Sequence, residues 1–246
     1  NLNAIFLSSS ELDATQEFGE DLLKIFGKEI TDNSRTIEGG IEGHSWCYQN
    51  TNRGIIRFFK ALGAPIGKKT VIPFFVPGWI SLSPAFEDEF FGSFLGNELG
   101  VPKIHHRKNR LDMLSVGISA IPELVENKKL FLQTLRNFLA NKEINSTSIN
   151  TQPGATEGTF LCRLLISTRF DNVLAFQNNV KINYCRYKPE KLANTITEFG
   201  LLKKQKYTQL LEQGYGAEQA MKILNLTPNS LYLILNSEPL EREALA

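Results

Sequence analysis

The chain has 246 residues, 42% hydrophobic and 22% charged, with 27 Lys and Arg against 26 Asp and Glu. That profile describes a globular protein of one large or two smaller domains, and it excludes disordered, collagenous and disulfide-framework classes. A net charge of +1 gives no bulk argument for nucleic-acid binding, no run approaches the ~20 apolar residues of a membrane span, and three widely spaced cysteines (Cys47, Cys162, Cys185) fit a reducing compartment without a metal cluster.

In chain order, Asn3 to Leu7 reads as a short buried strand closed by Ser8-Ser9-Ser10, where a serine can cap the next helix and Glu11 adds negative charge at its first turn. Phe18, Leu22, Leu23, Ile25 and Phe26 recur at helical spacing up to Gly27. Residues 28–50 are polar, with Gly39, Gly40 and Gly43 between two weak strand signals, which predicts a hairpin. A helix from Gly54 to Leu62 stops at Gly63 and Pro65, and four prolines mark 64–84 as a connector.

The second stretch repeats this order in fuller form. Phe86 to Leu99 predicts a helix without a polar face in its second half, and Pro102 to His106 and Leu114 to Ser119 predict strands around a charged turn. Ile121 to Asn141 is a long amphipathic helix with Pro122 in its first turn. Ile144 to Asn150 and Thr159 to Ser167 alternate apolar and polar residues around Pro153-Gly154, a second hairpin, and Phe170 to Gln177 and Pro189 to Phe199 follow as helices. Residues 1–62 read as the same unit lacking its first helix and first strand. The charge divides along these lines, at −3 over residues 1–60 and +4 over 61–200. From Leu201, a basic joint (Lys203-Lys204-Gln205-Lys206) leads into a helical tail, with 236–246 as a frayed end.

The helix at 86–99 carries the chemistry. Gly92, Ser93 and Gly96 leave one face nearly bare backbone, which lets two helices cross closely. Glu98 follows at the C-terminal end, and a carboxylate at such a crossing lies beside its symmetry mate. Two adjacent carboxylates repel unless a divalent cation joins them.

Phe91-Gly92-Ser93-Phe94-Leu95-Gly96-Asn97-Glu98-Leu99 resembles the nine-residue motif of the LAGLIDADG homing endonucleases, including those embedded in inteins. Leu62-Gly63-Ala64-Pro65-Ile66-Gly67-Lys68-Lys69, then Val76-Pro77-Gly78-Trp79-Ile80 and Ser83, resembles the lead-in to the second motif of two-motif members. The resemblance spans roughly residues 1–200. It implies an α+β fold, a pseudo-dimer of αββαββα halves with saddle-shaped antiparallel sheets, here followed by a small helix-turn-helix-like tail. The implied division is 1–62 (incomplete first half), 63–84 (connector), 85–200 (second half) and 201–246 (tail).

In that register Gly92 and Ser93 take the helix-crossing positions and Glu98 the metal-binding acid. The motif's final glycine is Leu99 here, with Gly100 one place late, and a shifted register places Asn97 at the acid position. The implied activity is site-specific double-strand cleavage of DNA by Mg²⁺-assisted hydrolysis, with Arg186 or Lys188 near the scissile phosphate. The alternative is a degenerate relative, a DNA-binding regulator or an intron RNA maturase. The family's first motif belongs ahead of the strand at 3–7, so an upstream segment or a second chain is expected to supply the other acid. Ser9 and Ala120 stand where some members carry a lysine.

The resemblance also assigns double-stranded DNA to the sheet faces. Lys103, His105 and Arg107, spaced by two, share one face of a predicted strand. Asn145, Thr147, Asn150 and Gln152 on the third strand and Arg163 on the fourth can pair with bases or phosphates. The same pattern is that of a solvated antiparallel face. In the tail, Asn225 suits a tight turn, Thr227 a cap and Pro228 a first helical position, leaving Asn229, Ser230 and Tyr232 to face a groove. Helical hairpins that touch no DNA share this pattern. His105-His106 lacks a third ligand at suitable spacing, and Trp46 and Trp79 read as packing residues. With no basic-then-apolar leader at its start, the chain is expected inside the cell, in cytoplasm or an organelle, and not secreted.

Overall fold

A computed structural model describes residues 3–31, 34–38 and 45–236. The first unit runs β1 (Ile5–Ser9), α1 (Leu12–Phe26), α2 (Lys28–Thr31), β2 (Ser34–Glu38), β3 (Trp46–Asn50) and α3 (Arg53–Ala61). Its strands form an antiparallel sheet in the order β1-β3-β2. α1 lays its apolar stripe on this sheet, with the Phe18 ring edge-on to Tyr48 at 5.4 Å. α3 starts where the Asn52 side chain accepts from the backbone N–H groups of Gly54 and Ile55. The expected hairpin glycines Gly39, Gly40 and Gly43 lie outside the described residues, as do residues 237–246 of the expected frayed end.

The second unit runs α4 (Pro84–Glu98), β4 (Leu99–Gly100), a small hairpin of β5 (Ile104–His105) and β6 (Arg110–Leu111), β7 (Leu114–Ala120), α5 (Val125–Asn141), β8 (Asn150–Pro153), β9 (Phe160–Ile166) and α6 (Phe170–Asn179). Its main sheet has the order β4-β7-β9-β8, all antiparallel. The expected αββαββα order is therefore present. α4 begins on Pro84, capped by the Ser83 hydroxyl, and buries Phe91, Gly92, Leu95 and Gly96. One face of β7 and β9 (Leu114, Val116, Ile118, Cys162, Leu164, Ile166) forms the core together with Phe131, Leu132, Leu135, Phe138 and Leu139 of α5.

The two units share more than element order. Aligning β1 with β7, β3 with β9 and β2 with β8 makes β1-β3-β2 the same sheet as β7-β9-β8. Within the main sheet, the strand without a counterpart among the described residues is β4, the outermost, which follows α4 directly. The duplication read from the sequence is thus a duplication of topology, and among the described residues the first unit shows no counterpart of α4 and β4.

Several elements differ from expectation. The strand expected at 102–106 shrinks to β5, and the outer strand of the main sheet is instead β4, formed as α4 ends and Leu99 pairs with Val116. Arg107 lies in a 3-10 turn, His106–Lys108, so Lys103, His105 and Arg107 do not share a strand face. The strand expected at 144–150 lies at 150–153, with only an isolated bridge between Ser146 and Ile166. The basic run 203–206 is no joint, because α7 runs unbroken from Tyr187 to Glu212. α8 (Ala217–Leu224) and α9 (Pro228–Asn236) pack on its far end, and Ile234 of α9 belongs to the main core.

The connector is stitched down rather than loose. Asn127 of α5 hydrogen-bonds both the backbone N–H and the carbonyl of Phe74, at 3.1 and 3.2 Å. Fully buried Lys128 donates to the Ile72 carbonyl at 2.6 Å and stands 3.7 Å above the Phe74 ring. Among the described residues no helix is long and apolar enough to cross a membrane.

Candidate functional site

The last turn of α4 opens on a cleft of about 1000 Å³. One wall is β1, lined from Asn3 to Ser10, and the other comes from Gly96, Asn97 and Glu98. Phe59, Pro65 and Ile66 contribute apolar lining, while Lys60, Lys69 and Lys188 line it together with Glu98, the one carboxylate among the described lining residues. Glu98 is ion-paired with Lys69. Lys188, on the first turn of α7, donates to the Asn97 carbonyl at 2.7 Å. Burial lowers the Lys188 pKa, and the Cys185 thiol and Glu98 carboxylate only partly offset this. Three lysines and one acid in the lining give the cleft a local excess of positive charge suited to a phosphate.

The α4 register places both Asn97 and Glu98 on the cleft, so the two candidate positions for the acid lie side by side. Leu99 is 3% exposed and is consumed by the start of β4, which accounts for an apolar residue after the acid. Of the two basic candidates near the end of the second half, Lys188 reaches the cleft, whereas Arg186 is exposed and does not line it. Ser9 ends β1 as Ala120 ends β7, and Ser9 is on the cleft wall. Lys69 was given no separate role by sequence reasoning, although it stood in the quoted lead-in.

Among the described residues, Gly92 and Gly96 of α4 approach a loop rather than a helix. A Cβ built on Gly96 would lie 1.9 Å from the Asn183 carbonyl oxygen, and one on Gly92 would lie 3.0 Å from the Lys181 carbonyl oxygen. The close approach is therefore to the extended segment between α6 and α7. Asn183 donates its backbone N–H to the Gly92 carbonyl at 3.0 Å, and its side chain and that of Lys181 both engage Glu89. The Tyr184 hydroxyl continues the anchoring by donating to Asp21 of α1 at 2.8 Å. Burial and the neighbouring Asp21 hold this phenol well above its ordinary pKa.

The face of the main sheet opposite the core carries three candidate base-reading residues together. Asn150 and Gly117 flank Arg163 across the strands, and Gln152 pairs with Leu161. Asn145 and Thr147 fall before β8, where the Asn145 backbone is held by buried Asn172 and Thr147 donates its N–H to Leu165. Lys103 is exposed beside the β5–β6 hairpin, and the His105 Nδ1 accepts from the Lys108 backbone at 3.4 Å. The first sheet offers a face that sequence reasoning passed over: Arg35 donates to Gln49 at 2.8 Å, with exposed Phe6 paired to Gln49 beside them. Its signal was the weak strand pattern of 34–38.

In the tail, Asn225 adopts φ +51 and Thr227 caps α9 by accepting from the Ser230 N–H at 3.0 Å. Ser230 is 2% exposed and its hydroxyl faces Thr227, so it cannot serve as a groove-facing residue, whereas Asn229 and Tyr232 are exposed. Among the described residues no three His, Cys, Asp or Glu side chains converge as a complete metal site.

No family model matches the chain. Among known proteins it is similar to the DNA-directed RNA polymerase subunit Rpo1N of Methanocaldococcus jannaschii, 25% identical over 168 residues, which are 68% of this chain and 12% of that protein. It is also similar to the tRNA-splicing ligase RtcB of Pyrococcus abyssi, 28% identical over 179 residues, which are 71% of this chain and 18% of that protein. The chain thus spans less than a fifth of either relative. Among solved structures it is similar to the homing endonuclease I-DmoI in complex with DNA and Ca, at TM-score 0.46 and 13% identity over 77% of this chain and 81% of that one. Mesophilic variants of I-DmoI give TM-score 0.45 and 12% identity over 72% and 79%.

Proposed function

We propose that the chain is the body of a LAGLIDADG-type DNA endonuclease in which Glu98 supplies one of two carboxylates of a divalent-cation site. The other carboxylate comes from a helix outside these 246 residues, carried by an adjoining segment or a second chain. The observation that carries this reading is the duplicated sheet. β7 bears β4 on its outer edge and, through β4, α4 and its terminal acid. The equivalent edge of β1 bears no strand among the described residues, and the cleft containing Glu98 runs along β1.

Glu98 fits as one ligand, since Mg²⁺ uses one or two carboxylates and fills its remaining positions with water and phosphate oxygens. Such a cation supplies an activated water and neutralises charge on the scissile phosphate. Lys188 and Lys69 lie where they can share that phosphate charge, and the outer sheet faces with Asn150, Gln152 and Arg163 supply contacts to DNA. The similarities to known proteins support an embedded module. A segment shared with a polymerase subunit and with an RNA ligase, at under a fifth of each, fits a unit inserted into unrelated hosts rather than either host's activity.

One observation favours the non-cutting alternative: Glu98, the one acid among the described residues lining the cleft, is already ion-paired with Lys69. The two readings separate in one experiment. The whole reading frame that contains this chain is incubated with a plasmid library of randomised inserts, with Mg²⁺ or with EDTA. Linear product with Mg²⁺ and none with EDTA is expected. Salt-sensitive duplex retention without any linear product would leave the binder.

A further inference from the structure

A second cavity, of about 360 Å³, lies where the β5–β6 hairpin and the start of α6 meet the turn between α8 and α9. Its lining includes Lys108, Arg110, Arg169 and Lys203 and no carboxylate. Arg169 has one acidic neighbour, Asp171 at 3.0 Å, while Lys108 and Arg110 are exposed. Lys203 is 4% exposed and donates to the Leu224 carbonyl at 2.6 Å, so its charge lies behind the cavity wall rather than in solvent. Asn109, at φ +51, turns the hairpin into the cavity, and its side-chain oxygen is enclosed without a hydrogen-bond partner.

We propose that this cavity takes a single backbone phosphate of duplex DNA, clamped between Arg110 and Arg169, so that the helical tail extends the DNA footprint beyond the β5–β6 hairpin. The proposal rests on the DNA-binding reading above and adds to it a site that none of the candidate base-reading residues occupies. The chemistry suits a phosphodiester, one compact anion: the lining carries basic side chains, two of them guanidiniums, with no carboxylate among them, and the volume is at the small end of ligand sites. The location argues for a nucleic-acid backbone, because the cavity joins the hairpin that carries Lys103, His105 and Arg107 to the tail turn that precedes Asn229 and Tyr232.

The test is fluorescence anisotropy of a mixed-sequence duplex long enough to cover body and tail, titrated across salt. Three proteins are compared: wild type, R110A/R169A, and K24A/K129A, which removes the same charge from helices α1 and α5. Loss of one phosphate contact reduces the slope of log K against log salt by about one and weakens low-salt binding about tenfold. That change is expected for R110A/R169A and not for K24A/K129A, with all three melting at similar temperatures. Wild-type binding with an unchanged slope in R110A/R169A overturns the phosphate clamp alone. Absence of any wild-type duplex binding overturns the DNA reading and the clamp together. Inorganic pyrophosphate that raises the wild-type melting temperature but not that of R110A/R169A, with the DNA slope unchanged, assigns the cavity to a small phosphate compound and also overturns the proposal.

Discussion

At the scale of single residues, the buried cations separate structural roles from functional ones. Lys128 has no exposure and holds the connector through the Ile72 carbonyl and the Phe74 ring, and burial pushes its ammonium down to about 8 from an ordinary 10.5. Between those values the folded state binds fewer protons than the unfolded chain, so this lysine's contribution to stability rises with pH across that window. Below about 8 its cost is fully present. The buried Cys162 and Cys185 thiols, both shifted upward, pull the opposite way at alkaline pH, so the lysine must be isolated by comparison. The unfolding free energy of wild type relative to K128M is expected to increase between pH 8 and 10. A difference that stays flat would show that Lys128 titrates normally. Lys128 and Lys203 were not legible as buried from the sequence, since a lysine in an amphipathic helix reads as solvated until a backbone carbonyl is seen to receive it.

Elements were legible where period and punctuation agreed. α1, α3, α4, α5, β7 and β9 fall within a few residues of their sequence readings because apolar spacing, caps and stops coincide there. The failures have particular causes. Alternating Lys103, His105 and Arg107 satisfy a strand pattern, but Asn109 at positive φ and the Asp112 N–H bound to the Lys103 carbonyl close a tight hairpin first. The helix expected to end at Phe199 instead continues as α7 through Gly200, where a Cβ would sit 3.2 Å from the Phe170 ring, so this glycine serves packing rather than a stop. The bare face of α4 was legible as a close-approach surface, but not which partner it meets. Gly96→Ala is therefore expected to destabilise the protein by about 2–3 kcal/mol by driving Asn183 off the helix. Gly78→Ala, where an added Cβ meets nothing within 4 Å, is expected to stay within about 0.5 kcal/mol. Urea denaturation of the two variants reads the contrast, and equal costs would mean that segment 181–183 is not packed on α4 as described.

For the whole molecule, the duplication is what gives the candidate site its meaning. The second unit is closed on its outer edge by β4 and α4, whereas the first presents β1 to a cleft that collects Glu98, Lys69 and Lys188 from elements far apart in sequence. That convergence could not be read residue by residue. The acid was found through the motif and Lys188 through its basic context, but their meeting at one helix end depends on α7 starting beside the end of α4. α7 then continues into the tail, so the body and the α8–α9 hairpin share one strut, and DNA held by both would be held in fixed relation. The most direct measurement is single-turnover cleavage by the whole reading frame at a site recovered from the plasmid library, comparing wild type with Glu98→Gln in Mg²⁺. Glu98→Gln is expected to keep duplex affinity within about twofold of wild type and to slow cleavage by at least about a hundredfold. Cleavage by Glu98→Gln at the wild-type rate would contradict the role proposed for Glu98.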